Sequence, residues 1–116
     1  MGDNNFQTVE RNAREASVLL KSMSNETRLL ILCILAKGEM AAGDIEHALN
    51  MSQSSVSQHL KRLYDDGLVT RRKQAQNVLY SLDGERAAVI ITALHQIFCG
   101  AAKPDSRFPA EAAMAY

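Results

Sequence analysis

Apolar residues recur every three or four positions over most of this chain and alternate strictly only near its middle. The first block, Phe6 to Ser22, puts Val9, Ala13, Ala16, Leu19 and Leu20 on a helical stripe that runs on to Met23. From Leu29 to Leu35 every residue is apolar, Cys33 included, which predicts a second helix buried on all sides. Ser24 is its expected cap, with Glu26 in the first turn where the helix dipole favours an anion, and Gly38 ends it. Met40 to Leu49 read as a short third helix with Ile45 and Leu49 inward. Ala41 stands where a Ser or Thr cap would serve, so that start is weakly specified. Asn50-Met51 is a turn, and Ser52 caps a fourth helix whose Val56, Leu60 and Leu63 face a core. Gly67 supplies the left-handed residue after it, and Leu68 and Val69 pack back.

Two strands follow, Val69 to Lys73 and Val78 to Leu82, around a tip at Gln74-Ala75-Gln76-Asn77. Val78, Tyr80 and Leu82 are expected to alternate inward. Asp83 is the expected cap of a last helix, Gly84 to Cys99, with Ala87, Val89, Ile90, Ile91, Ala93, Leu94, Ile97 and Phe98 spread around it. That coverage exceeds what one small domain can bury. The surplus points to a second subunit, met through this helix and the first. The expected architecture is mainly α with a β-hairpin wing: four helices, two strands and a fifth helix, the third and fourth forming a helix-turn-helix. Residues 1–5 are expected as a flexible start, 6–100 as one DNA-binding and dimerisation domain, and 101–116, with Pro104 and Pro109, as a disordered tail.

At 116 residues the chain fits one thin-cored domain that gains from oligomerisation. It shows no long apolar run and no secretion signal, so a cytoplasmic protein without a membrane partner is expected. Acidic and basic residues balance at 13 each, but they are unevenly placed. From Ser52 to Lys73, Lys61, Arg62, Arg71, Arg72 and Lys73 outweigh Asp65 and Asp66, whereas Glu39, Asp44 and Glu46 make residues 39–50 acidic. A local basic stripe can hold phosphate while the rest of the molecule limits indiscriminate binding.

The fourth helix carries the chemistry. Opposite its apolar stripe lie Gln53, Ser54, Ser57, Gln58, Lys61 and Arg62, short or forked hydrogen-bonding groups suited to base edges and phosphates. An ordinary solvated helix face would use more Glu and Lys. Double-stranded DNA is therefore the expected partner. Ser54, Ser55, Ser57, Gln58 and His59 would approach bases, Gln53 belongs to the same DNA-binding face, and Lys61, Arg71 and Arg72 would mainly hold phosphates.

These elements resemble the ArsR/SmtB family of winged-helix repressors over roughly residues 9 to 100. The segment Leu20-Lys21-Ser22-Met23-Ser24-Asn25-Glu26-Thr27-Arg28-Leu29 resembles the family's opening motif. Ser52-Gln53-Ser54-Ser55-Val56-Ser57-Gln58-His59-Leu60, with Gly67-Leu68-Val69, resembles its recognition segment. The resemblance implies a homodimer on an inverted-repeat operator, released by an inducer. The family's Cys-x-Cys metal motif falls on Ala41 and Gly43 here, which cannot ligate. Its zinc pattern on the last helix keeps Asp83 and Glu85, but the partners fall on Gln96 and Cys99, with His95 out of register. No metal site or cofactor is expected.

Cys33 within Leu32-Cys33-Ile34-Leu35, the hairpin Arg72 to Tyr80 and the ending Ile97-Phe98-Cys99 instead resemble the dithiol subgroup. That subgroup includes sulfide- and persulfide-responsive repressors and a haemolysin activator. It implies that Cys33 and Cys99 form a sensing pair whose oxidation or persulfide bridging alters operator affinity, with reactive sulfur species or an oxidant as inducer. A disulfide needs Cα atoms about 4.4 to 6.8 Å apart, and each inserted sulfur adds roughly 2 Å of reach. The bland alternative is a pair of inert core thiols. His95, one turn before Cys99, could lower the thiol pKa or join a three-ligand zinc site, though an interface histidine is the simpler expectation; His47 and His59 are expected to face solvent or DNA. A zinc-type repressor and a small thiol oxidoreductase stand as the rival functions. No activating motif surrounds either thiol, so an enzyme is not expected.

Overall fold

The computed structural model describes residues 2–99, and side chains from residue 6 onward. The elements run α1 (Gly2–Met23), α2 (Glu26–Leu35), β1 (Met40–Ala41), α3 (Ala42–Leu49), α4 (Gln53–Asp65), β2 (Val69–Gln74), β3 (Asn77–Leu82) and α5 (Arg86–Cys99). The mainly helical, winged helix-turn-helix architecture expected from the spacing is what forms. The tail expected over 101–116 lies outside the described residues.

The core is the meeting of the apolar stripes. Ile31, Leu32 and Leu35 of α2, Ile45 of α3, and Val56, Leu60 and Leu63 of α4 pack with Leu68, Val69, Tyr80 and Ala87. Among the described side chains of α1, only Leu19, Ser22 and Met23 near its C-terminus are buried. Val9, Ala13 and Ala16, on the expected apolar stripe, are exposed in the single chain. On α5, Val89, Ile97 and Phe98 are likewise exposed. The Cα radius of gyration is 16.2 Å, above the value of about 13 Å typical of a compact chain of roughly 100 residues.

Several boundaries differ from expectation. The first helix begins at Gly2 rather than Phe6. Asn25, not Ser24, caps α2, its Oδ1 accepting the Arg28 N–H at 3.0 Å. Arg28 sets that register by reaching back: its Nε donates to the Ser22 carbonyl at 2.6 Å and its Nη2 to the Lys21 carbonyl at 3.3 Å. A cation thus bonds carbonyls at the end of α1, where the Lys21 carbonyl also accepts the Ser24 N–H at 3.2 Å. Met40 and Ala41, expected to open the third helix, form a third strand instead, pairing with Tyr80 and Leu79 to give the antiparallel order β1-β3-β2. The last helix begins at Arg86, with the Glu85 carbonyl accepting from Val89 at 2.9 Å, so Asp83 is not its cap. Val78 is exposed because the register sets it beside Lys73, beyond the edge of the core.

Other expectations hold. Ala41 caps α3 without a side-chain bond, and Asn50 ends that helix in the left-handed conformation, at φ 54°. Gly67, at φ +79°, closes α4 in a Schellman turn: Leu68 donates to the Leu63 carbonyl at 2.9 Å and Gly67 to that of Tyr64 at 3.1 Å. Among the described residues no helix is long and apolar enough to cross a membrane.

Candidate nucleic-acid interface and thiol pair

Ser52 starts α4 as its sequence predicts. Its Oγ accepts the Ser55 N–H at 3.2 Å and donates to the Ser55 hydroxyl at 3.1 Å, while the Ser54 hydroxyl lies 3.3 Å away. With Val56, Leu60 and Leu63 fixed in the core, the opposite side of α4 is held toward solvent. Gln53, Ser54, Ser57, Gln58 and Lys61 are all exposed there. Ser55 is half-buried and engaged in the cap, which makes it the least available of the expected base readers.

His59, expected to face solvent or DNA, is half-buried. Burial first, and the nearby Arg28 charge second, hold its pKa below the usual imidazole value. Both effects favour the neutral ring, a hydrogen-bonding group rather than a phosphate anchor.

The basic residues are less free than a count along the chain implies. Lys61 pairs with Asp65, and Arg62 with Asp66, both at 2.8 Å and one helical turn apart. Arg72 sits in a two-pronged pair with Glu39, its Nε and Nη2 each 2.8 Å from a carboxylate oxygen. The guanidinium of Arg71 lies over the ring of Tyr64, 4.0 Å from its centre, which sets the hairpin against the end of α4. Among the described residues Arg71 and Lys73 have no carboxylate partner. Neither Glu39 nor Tyr64 was evident as a partner from the sequence. The aromatic residue at the end of a polar helix was the available signal for Tyr64.

Both thiols are free. Cys33 is buried in α2, where desolvation pushes its thiol pKa up and Lys37 offsets this only in part. Cys99 is half-buried at the end of α5, with its sulfur 3.3 Å from each ring nitrogen of His95. Helices α2 and α5 pack together, so the two thiols belong to adjoining elements. No group of three His, Cys, Asp or Glu side chains suited to a metal ion occurs among the described residues.

The family model for bacterial regulatory proteins of the arsR family matches residues 25–71. Transcriptional activator HlyU of Vibrio cholerae is 46% identical over 97 residues, covering 84% of this chain and 90% of the relative. The chain belongs to the arsR family. The biofilm growth-associated repressor of Agrobacterium fabrum is 36% identical over 99 residues, covering 85% of each protein. Among solved structures, reduced HlyU from Vibrio cholerae superposes with a TM-score of 0.76 at 46% identity, covering 80% of this chain and 98% of that one. The repressor BigR of Xylella fastidiosa gives a TM-score of 0.75 at 34% identity, covering 80% and 95%. A homodimeric winged helix-turn-helix DNA-binding domain from Mycobacterium bovis gives 0.68 at 27% identity, covering 84% and 86%. These arsR-family relatives are transcriptional regulators rather than enzymes, and the expected kinship with the dithiol subgroup is met by HlyU and BigR.

Proposed function

We propose that this arsR-family regulator is a cytoplasmic homodimer that holds an inverted-repeat operator until Cys33 and Cys99 are oxidised or bridged by sulfur. The observation that carries the DNA reading is the solvent-facing side of α4, with Gln53, Ser54, Ser57 and Gln58 beside a hairpin bearing Arg71 and Arg72. Such amide and hydroxyl groups suit the donor and acceptor pattern of the major groove, and the arginines suit phosphates. Dimerisation through α1 and α5 is supported by the apolar residues both leave in water, Phe6, Val9, Val18, Val89 and Ile97 among them. A symmetric pair would present two copies of α4 to successive major grooves, about 34 Å apart.

The switch rests on two free thiols on packed helices. One hydropersulfide reacting with the pair yields an intramolecular disulfide, a thiol and hydrogen sulfide. The two electrons leave the cysteines and reduce the persulfide's sulfur–sulfur bond, and further sulfur donors would lengthen the bridge. Tying α2 to α5 would alter how the dimer spaces its α4 helices and so weaken binding. The test is an anisotropy titration of a promoter duplex with reduced, peroxide-treated and persulfide-treated protein. Reduced protein binds tightly and treated protein weakly, and a Cys33→Ser/Cys99→Ser variant binds in every state. A double variant that still releases the duplex removes the thiol switch. Reduced protein that binds no promoter duplex removes the DNA reading itself.

A further inference from the structure

The basic wing carries an internal competitor for the group it is meant to hold. In the sheet order β1-β3-β2, Arg72 stands opposite Leu79, and Ala41 stands opposite Leu79 on the other side. Paired residues share a face, and side chains alternate along a strand. Arg72, Leu79 and Ala41 thus lie on one face, with Val69, Tyr80 and Met40 on the core side. Glu39, two residues before Ala41, returns to the outer face and reaches across β3 to Arg72. Its two oxygens occupy Nε and Nη2 of the guanidinium at 2.8 Å each, the fork by which an arginine grips a phosphate. Both side chains remain substantially exposed, at 57% for Arg72 and 32% for Glu39, so the pair is open to exchange.

We propose that Glu39 is a stand-in for a DNA phosphate at Arg72, which must leave the guanidinium before the wing can engage a duplex. The inference rests on the DNA-binding reading above and adds a determinant of affinity that touches no base. Because the competition is for a phosphate-holding group, it acts on any duplex alike. Glu39 thereby holds down sequence-independent binding and leaves discrimination to the exposed face of α4. Glu39 is a positioning residue: it acts through Arg72.

The test compares wild type, Glu39→Gln, Arg72→Gln and the double variant in anisotropy titrations with a labelled random-sequence duplex of about 30 base pairs. A series of salt concentrations accompanies each. Glutamine keeps the size of the side chain at an exposed site, and circular dichroism melts verify folding. Glu39→Gln is expected to tighten binding about threefold to fivefold at low salt, with the gain shrinking as salt rises. In the Arg72→Gln background the same change is expected to give little gain. Three results overturn the proposal: unchanged affinity, weaker binding (Glu39 would then be a strut for the wing), or an equal gain with and without Arg72, which is mere added charge. Wild type that binds no duplex at all strikes the DNA-binding reading instead, so the two failures are distinct.

Discussion

Cys33 and Cys99 differ in what surrounds them, and that difference orders their reactivity. The thiolate is the nucleophile, and at Cys33 burial disfavours it. Cys99 is less buried, and its sulfur lies 3.3 Å from the His95 ring nitrogens. Iodoacetamide at neutral pH is therefore expected to label Cys99 before Cys33, read from peptide masses over time. Labelling of Cys33 first would reverse the assignment of the attacking thiol. His59 makes a second prediction at this scale. Its pKa is lower in the folded chain than in the unfolded one, so the unfolded state takes up the proton first as pH falls. Its contribution is fully present above about pH 6.5 and declines as pH drops from there through the folded midpoint. Urea midpoints measured across that window should fall less steeply for His59→Gln than for wild type.

Helix ends decide how well elements could be read from the chain. α4 was legible because Ser52, the Val56-Leu60-Leu63 stripe and Gly67 each say the same thing, and the structure uses all three. Ser52→Ala removes the cap and is expected to cost about 1 kcal/mol, seen as a lower urea midpoint. Leu63→Ala, at a fully buried site, is expected to cost about 2 to 5 kcal/mol by the same measurement. β1 was not legible: two residues show no alternation, and their partners Tyr80 and Leu79 lie far along the chain. Ser24 and Asn25 are both good caps, and only the reach of Arg28 back to α1 separates them. For the site, the Gln and Ser face of α4 followed from helical spacing alone. The pairing of Arg72 did not, since Glu39 stands 33 positions away and meets it only through the sheet.

At the scale of the whole molecule, the proposed homodimer rests on apolar residues that one copy leaves exposed on α1 and α5. The apolar stripe on α1 is real, and within a single chain its Phe6, Val9, Val18 and Leu20 are exposed. Ile97→Asp or Val9→Asp, each at an exposed position, would leave a monomeric core intact and break a two-copy assembly. Sedimentation is expected to show monomers for both, with operator affinity lost because one half-site contact no longer assists the other. Monomeric variants that bind as tightly as wild type would contradict that arrangement.

Among the described side chains of α1, only Leu19, Ser22 and Met23 are buried against the rest of the chain. Little tertiary support is therefore left for the preceding turns, and a lone helix in water is marginal at such lengths. In the proposed homodimer, ordering of α1 would depend on meeting another copy, and melting temperature should climb with protein concentration. A cell making few copies would hold a larger share of half-ordered chains, open to proteases. Abundance and durability would rise and fall together.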